Sequence, residues 1–105
     1  MYNNSKILDC TIRDGGYYNK WNFSNSFLKD YLKLINVLNI DWVEIGFRKL
    51  ISDKSYGNFI RSNENFLNKI NFPKNINLAV MIDCADFKSI ENFKKLKKIL
   101  YEKKN

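Results

Sequence analysis

The chain has 105 residues, a length that accommodates one domain, and we treat residues 1–105 as a single unit. Its hydrophobic fraction of 45% and aromatic fraction of 15% suffice for a packed core, so disorder is excluded as the default. The net charge is +7, and the absence of histidine removes the commonest general base and transition-metal ligand.

The sequence also predicts the cellular compartment of the protein. No apolar run approaches the length of about 20 residues that spans a bilayer, and the N-terminus shows no signal peptide. Cys10 and Cys84 lie far apart and form no CxxC pair, as expected for buried thiols in a reducing compartment. We therefore predict a cytoplasmic protein that does not bind membranes.

A lysine cluster near the C-terminus contributes much of the positive charge. Its members are Lys94, Lys95, Lys97, Lys98, Lys103 and Lys104. Such a cluster can attract an acidic partner, or it can be the solvated face of a helix whose cations favour the helix C-terminus. No nucleic-acid motif accompanies the lysines, so we predict no nucleic-acid binding.

Residues 7–18 predict a strand that ends in a loop. Alternation places Leu8, Cys10 and Ile12 on one face, and Asp9, Thr11 and Arg13 on the other. Arg13 and Asp14 stand directly before Gly15 and Gly16, which favour a sharp turn. An arginine and a carboxylate at the carboxyl end of a strand are well placed to meet a ligand.

A helix follows from Ser24. Its apolar residues recur at steps of three and four: Leu28, Tyr31, Leu32, Ile35 and Leu38. Ser24 or Asn25 can cap its start, and Asn39 can end it in a left-handed conformation.

Residues 41–48 predict a second strand, with one face apolar and the other polar. The apolar face carries Val43, Ile45 and Phe47, and the other carries Glu44, Gly46 and Arg48. A loop over 49–60 follows, and then a short helix that Ser62 or Asn63 can cap.

A turn at 73–75 introduces the third and most apolar predicted strand, 76–83. Asp86 is predicted to cap the final helix, and Asp83 to act as a loop cap near it. Strands that alternate with helices predict an α/β fold with a parallel sheet and right-handed crossovers. In a closed barrel, the polar faces of all three strands would point into the interior near its carboxyl-terminal mouth.

The segment from Leu8 to Tyr18, followed by Trp21 and Phe23, resembles the first strand and loop of the DRE-TIM metallolyases. That superfamily includes HMG-CoA lyase and 4-hydroxy-2-oxovalerate aldolase. The segment from Val43 to Arg48 is similar to the second strand of its aldolase-like branch. The resemblance implies a parallel (βα)3 segment, the N-terminal part of a TIM (β/α)8 barrel, whose full length is about 250 residues.

The resemblance also implies roles for individual residues. Asp14 matches the carboxylate that binds a divalent metal, Mg²⁺ or Mn²⁺. Arg13 matches the cation that stabilises an enolate oxygen, and Glu44 matches the acid that supports the site. Tyr17 stands where the aldolases carry a histidine base, four residues after the arginine. The late-strand histidine ligands of the family have no counterpart here, so we expect this chain alone to hold the metal poorly.

Several alternatives stay open for the charged side chains. Arg13 and Asp14 could form only a structural salt bridge at a strand end. Glu44 could equally line the interior, paired with Arg13 or Arg48. Arg48 could bind a substrate carboxylate or only neutralise Glu44.

The predicted function is metal-dependent carbon–carbon bond cleavage or formation on a small 2-oxo acid such as pyruvate. Because three parallel strands leave unpaired edges, we expect the chain to associate with itself or with the remainder of a barrel. The alternative is a non-catalytic module that self-associates or binds an acidic partner through its basic last helix.

Overall fold

The computed structural model describes residues 5–100. Three strands, β1 (Leu8–Asp9), β2 (Trp42–Phe47) and β3 (Asn77–Met81), form one parallel sheet in the order β1-β2-β3. Between and after them lie the helices α1 (Thr11–Asn19), α2 (Asn25–Val37), α3 (Glu64–Leu67) and α4 (Ile90–Leu100). The predicted α/β class with a parallel sheet is confirmed, whereas continuation of the sheet into a barrel stays a prediction.

The start of the chain departs most from expectation. β1 contains only two residues, and the stretch predicted to be strand and loop is the nine-residue helix α1. The carboxylate of Asp9 accepts hydrogen bonds from the backbone N–H and the hydroxyl of Thr11, at 3.1 and 2.8 Å. These bonds turn the backbone from strand into helix, because they satisfy donors at the helix start.

The predicted turn at Gly15 and Gly16 is also wrong. Both glycines lie inside α1, and no described glycine has a positive φ. The chain reverses later, where Lys20 and Trp21 adopt φ angles of 55° and 58°. Instead, glycine is needed at position 16 because the Trp21 indole packs directly against the helix backbone there. A Cβ at this position would lie 2.0 Å from the indole.

Helix α2 agrees with its prediction at both ends. The Ser24 hydroxyl accepts a hydrogen bond from the Phe27 N–H at 3.0 Å, and Asn39 has a φ of 53°. Tyr31 and Ile35 are the buried residues of this helix. The spacing of apolar residues therefore identified the helix and the side that packs, except at Leu38, which follows the last helical residue and is exposed.

The register of the sheet corrects the predicted faces. Asp9 aligns with Val43, so it shares the α2 side of the sheet and not the polar face assigned to it. In β2, an irregularity lies between Glu44, which aligns with Ala79, and Gly46, which aligns with Val80. This β-bulge inserts one residue and reverses the alternation, so Phe47 joins the face of Glu44, whereas Arg48 leaves it.

The second half of the chain follows the prediction in outline. Asn63 caps α3 by accepting a hydrogen bond from the Phe66 N–H at 2.8 Å. Asp83 caps the 3-10 turn Cys84–Phe87, and the Ser89 hydroxyl accepts from the Asn92 N–H at the start of α4. The predicted cap, Asp86, is wrong: its carboxylate is buried and accepts from the Leu50 N–H.

The core lies around β2. Val43 and Ile45 are fully buried, as is Ile12 of α1. Leu8 and Trp42, aligned on the side of the sheet that carries Glu44, stay 50% and 41% exposed. That side is therefore only partly covered within residues 5–100. No described helix has the length and apolar character that a membrane span requires. Lys103 and Lys104 of the lysine cluster lie outside the described residues.

Candidate functional site

Arg13 and Glu44 form the centre of the candidate site. Arg13 lies in the first turn of α1 and Glu44 in β2, and the arginine Nε donates to the glutamate Oε1 at 2.6 Å. Their side chains are 22% and 13% exposed. The hydrogen bond with Glu44 raises the pKa of Arg13. The structure thus brings together two predicted site residues that are 31 positions apart in the chain.

Only one edge of the guanidinium is used by Glu44. The Arg13 Nη1 lies 3.6 Å from the Asp14 carboxylate, which is itself 75% exposed. An arginine has five N–H donors in a planar fork, and one fixed by a carboxylate can offer the others to an anion. The pair therefore holds a guanidinium in a set direction while keeping part of it accessible.

Cys10 is a neighbour of this pair that the sequence did not single out as a site residue. Burial raises the pKa of the Cys10 thiol, the hydrogen bond with Arg13 opposes that rise, and the Glu44 charge adds to it. A raised pKa favours the protonated thiol, which is a weaker nucleophile than the thiolate. No signal in the sequence marked this position, because alternation placed Cys10 on the apolar face of the predicted strand and Glu44 on a polar one.

Tyr17 lies one helical turn after Arg13, so both project from the same side of α1. Its ring packs edge-on against Trp21 and Phe47, with centroids 4.9 and 6.2 Å away, and it remains 63% exposed. The Trp21 indole N–H donates to the Arg13 carbonyl at 3.0 Å. These aromatic residues therefore support the same turn of helix that carries Arg13.

Arg48 does not join the site. Its Nε donates to the Ser62 carbonyl and its Nη2 to Glu64, both at 2.9 Å, and only 8% of the residue is exposed. The β-bulge in β2 is the physical reason, since it turns Arg48 away from the face of Glu44. The expectation that Arg48 and Glu44 share one face was wrong, and neutralisation of Glu44 falls to Arg13.

A metal site is not complete within the described residues. Residues 5–100 contain no group of three or more cysteine, aspartate or glutamate side chains that could hold an ion. Asp14 is exposed, and Glu44 is engaged by Arg13. The donors present do not by themselves fit a hard divalent cation, which takes about six oxygen ligands.

Lys49 and Asp83 form a second ion pair, beyond the ends of β2 and β3. The lysine Nζ lies 2.7 Å from the carboxylate and 5.8 Å from the centre of the Phe47 ring. The hydrogen bond from Lys49, followed by that from the Ala85 N–H, lowers the pKa of Asp83. Lys49 was predicted only as loop, and no periodic pattern in the sequence marks it.

We expect this pair to make stability sensitive to acid. A carboxylate with a lowered folded pKa stabilises the fold above its ordinary pKa, and that stability is lost as pH falls through the folded value. Urea unfolding between about pH 5 and pH 2 should therefore show a smaller loss of stability in Lys49→Gln than in the wild type. Lys95→Gln, at an exposed pair on α4, is the matched control; equal pH dependence in wild type and Lys49→Gln would contradict the assignment.

Comparison with known proteins identifies a solved structure with a similar fold. No protein-family model matches the chain, and no curated protein matches it. A solved structure, the N-terminal domain of a putative aldolase from Bacteroides vulgatus, matches with a TM-score of 0.64 and 30% sequence identity over 88% of this chain. The chain has an aldolase-like fold. It spans 33% of that solved chain, so the activity of a whole aldolase is a matter for proposal.

Proposed function

We propose that this chain forms the N-terminal part of an aldolase-type or lyase-type domain that acts on a 2-oxo acid such as pyruvate. The observation that carries the proposal is the Arg13–Glu44 pair, 2.6 Å apart and partly accessible, in a chain with an aldolase-like fold. The proposal follows the resemblance to the DRE-TIM metallolyases, in which the matching residues stabilise an enolate.

Cleavage of a carbon–carbon bond beside a carbonyl is helped by a positive group in a fixed position. When a carbon–carbon bond beside a carbonyl breaks, its electron pair stays on the 2-oxo acid fragment as an enolate, and negative charge builds on the oxygen. A preorganised guanidinium lowers the energy of that state. In the proposal, Glu44 orients Arg13 through Nε, and the terminal nitrogens of Arg13 donate to the enolate and carboxylate oxygens.

The other predicted residues would take supporting roles. Tyr17, on the same side of α1, would donate a proton from its hydroxyl. A divalent metal, Mg²⁺ or Mn²⁺, would supply Lewis-acid chemistry if it were held at this site. Asp14 is the ligand that this site could offer, and further ligands would have to come from outside the described residues.

Association is part of the same proposal. Leu8 and Trp42 leave apolar surface on the side of the sheet that bears Glu44, and β1 and β3 are the outer strands of the described sheet. Unpaired strand edges favour pairing with further strands. We propose that the remainder of a barrel, or another copy of this chain, covers this side of the sheet.

Calorimetric titration with oxalate tests the binding role of Arg13, because oxalate is a planar dianion that resembles the enolate of pyruvate. We expect a dissociation constant of about 1 mM for the wild type. Arg13→Gln should weaken binding about tenfold or more, because a charge-assisted hydrogen bond is lost. Lys33→Gln removes an exposed cation of α2 and should bind like the wild type. Equal affinity in Arg13→Gln and wild type would overturn the proposed role of Arg13.

A further inference from the structure

The carboxylate of Asp9 lies at the junction of strand and helix that precedes Arg13. Its Oδ1 accepts from the Thr11 hydroxyl, and its Oδ2 accepts from the Thr11 N–H. The residue at the helix N-cap, Cys10, makes no side-chain capping bond of its own. Asp9 therefore takes over the capping role and determines where α1 begins.

A second element holds Asp9 in place. The Tyr31 hydroxyl of α2 donates to the same Oδ2 at 2.6 Å, and Tyr31 is 6% exposed. Burial and the bond to Asp9 together raise the pKa of Tyr31, which keeps its hydroxyl protonated as a donor. The junction is thus tied to α2 by a short, partly buried bond between side chains 22 positions apart.

The start of a helix decides the direction of every side chain that follows. Each residue turns the helix by about 100°, so a start displaced by one residue would swing Arg13 away from Glu44. β1 has only two residues, and its pairing to β2 is correspondingly short. The Ile7 carbonyl accepts further backbone bonds from Asp41 and Trp42, which hold the strand end of the junction. The side-chain bonds of Asp9 add the constraint on the step from strand to helix.

We propose that Asp9 and Tyr31 are positioning residues that fix the direction of the Arg13 guanidinium toward Glu44. This inference rests on the proposed function, in which Arg13 binds the substrate anion. Neither residue contacts the guanidinium: Asp9 lies on the α2 side of the sheet, and Tyr31 contacts it from there. They act through the start of α1.

The test compares water exchange at the arginine side chains by ¹⁵N NMR. Arg13, Arg48 and Arg61 are the arginines of the chain, so three Nε–H signals are expected. Tyr31→Phe keeps the ring and removes the donor; we expect exchange at Arg13 to accelerate about tenfold, with Arg48 changed less than about twofold. Thr11→Ser keeps both bonds to Asp9, and Tyr18→Phe alters a 95% exposed ring, so both should match the wild type.

The outcomes separate positioning from general stability. Faster exchange at Arg13 alone, with oxalate affinity reduced about fivefold, supports the inference. Equal acceleration at all three arginines would show a general loosening and would overturn it, as would no change at Arg13. If the wild type fails to bind oxalate, the binding role of Arg13 fails, while the exchange comparison still decides whether the bond from Tyr31 to Asp9 positions the guanidinium.

Discussion

Replacing Glu44 by leucine is expected to destabilise the fold by about 2 kcal/mol, because it leaves the Arg13 guanidinium without its partner in a partly buried position. The double variant Arg13→Met with Glu44→Leu should recover most of that loss, since apolar side chains of similar volume replace both charges. Urea unfolding of the two single variants and the double variant gives a coupling energy, which we expect to be about 2 kcal/mol.

The chain supplies a matched control for this cycle. Lys95 and Glu91 form a pair of the spacing i,i+4 on α4, with side chains 60% and 78% exposed and a distance of 3.3 Å. Their coupling should be no more than about 0.5 kcal/mol, because water screens exposed charges. Coupling at Arg13–Glu44 as small as that of the control would show that the pair is not held as described.

Gly16→Ala is expected to destabilise the protein by about 2–4 kcal/mol, because a Cβ at that position would lie 2.0 Å from the buried indole of Trp21. The indole cannot move freely, since it donates to the Arg13 carbonyl and packs against Tyr17 and Phe47. Thermal unfolding would record the loss as a lower midpoint.

Gly15→Ala is the neighbouring control. A Cβ there would meet only Phe23, at 3.7 Å, which is ordinary van der Waals contact. Alanine is favoured over glycine inside a helix, so this variant should be stabilised by about 0.5–1 kcal/mol. If both variants were strongly destabilised, a turn with positive φ at the two glycines would explain the result better than α1 does.

The sequence correctly predicted an element where its hydrophobic periodicity and its capping residues indicate the same structure. In α2, the apolar spacing, the Ser24 cap and the left-handed Asn39 all point to the same helix, and the structure has it. In α1, alternation over a few residues and a Gly-Gly pair suggested a strand and a turn. The structure has neither the strand nor the turn. Asp9 caps a helix that starts at Thr11, and Gly16 lies inside that helix because the Trp21 indole packs against it.

The candidate site was predictable only in part. The resemblance and the alternation in β2 pointed to Arg13 and Glu44, which the structure joins. The isolated Gly46 inside a strand is a recognised sign of a bulge, yet alternation alone placed Arg48 with Glu44. The bond from Tyr31 to Asp9 joins residues 22 positions apart, and nothing in a single sequence specifies such a pairing.

The central claim is that the guanidinium held by Glu44 is the group that receives an anion. Titration of ¹⁵N-labelled protein with oxalate, followed at the Nε–H signals of the three arginines, measures this directly. We expect the Arg13 signal to shift and saturate at about millimolar oxalate, while Arg48, held by Ser62 and Glu64, stays in place. An unmoved Arg13 signal, or equal shifts at Arg13, Arg48 and Arg61, would contradict it.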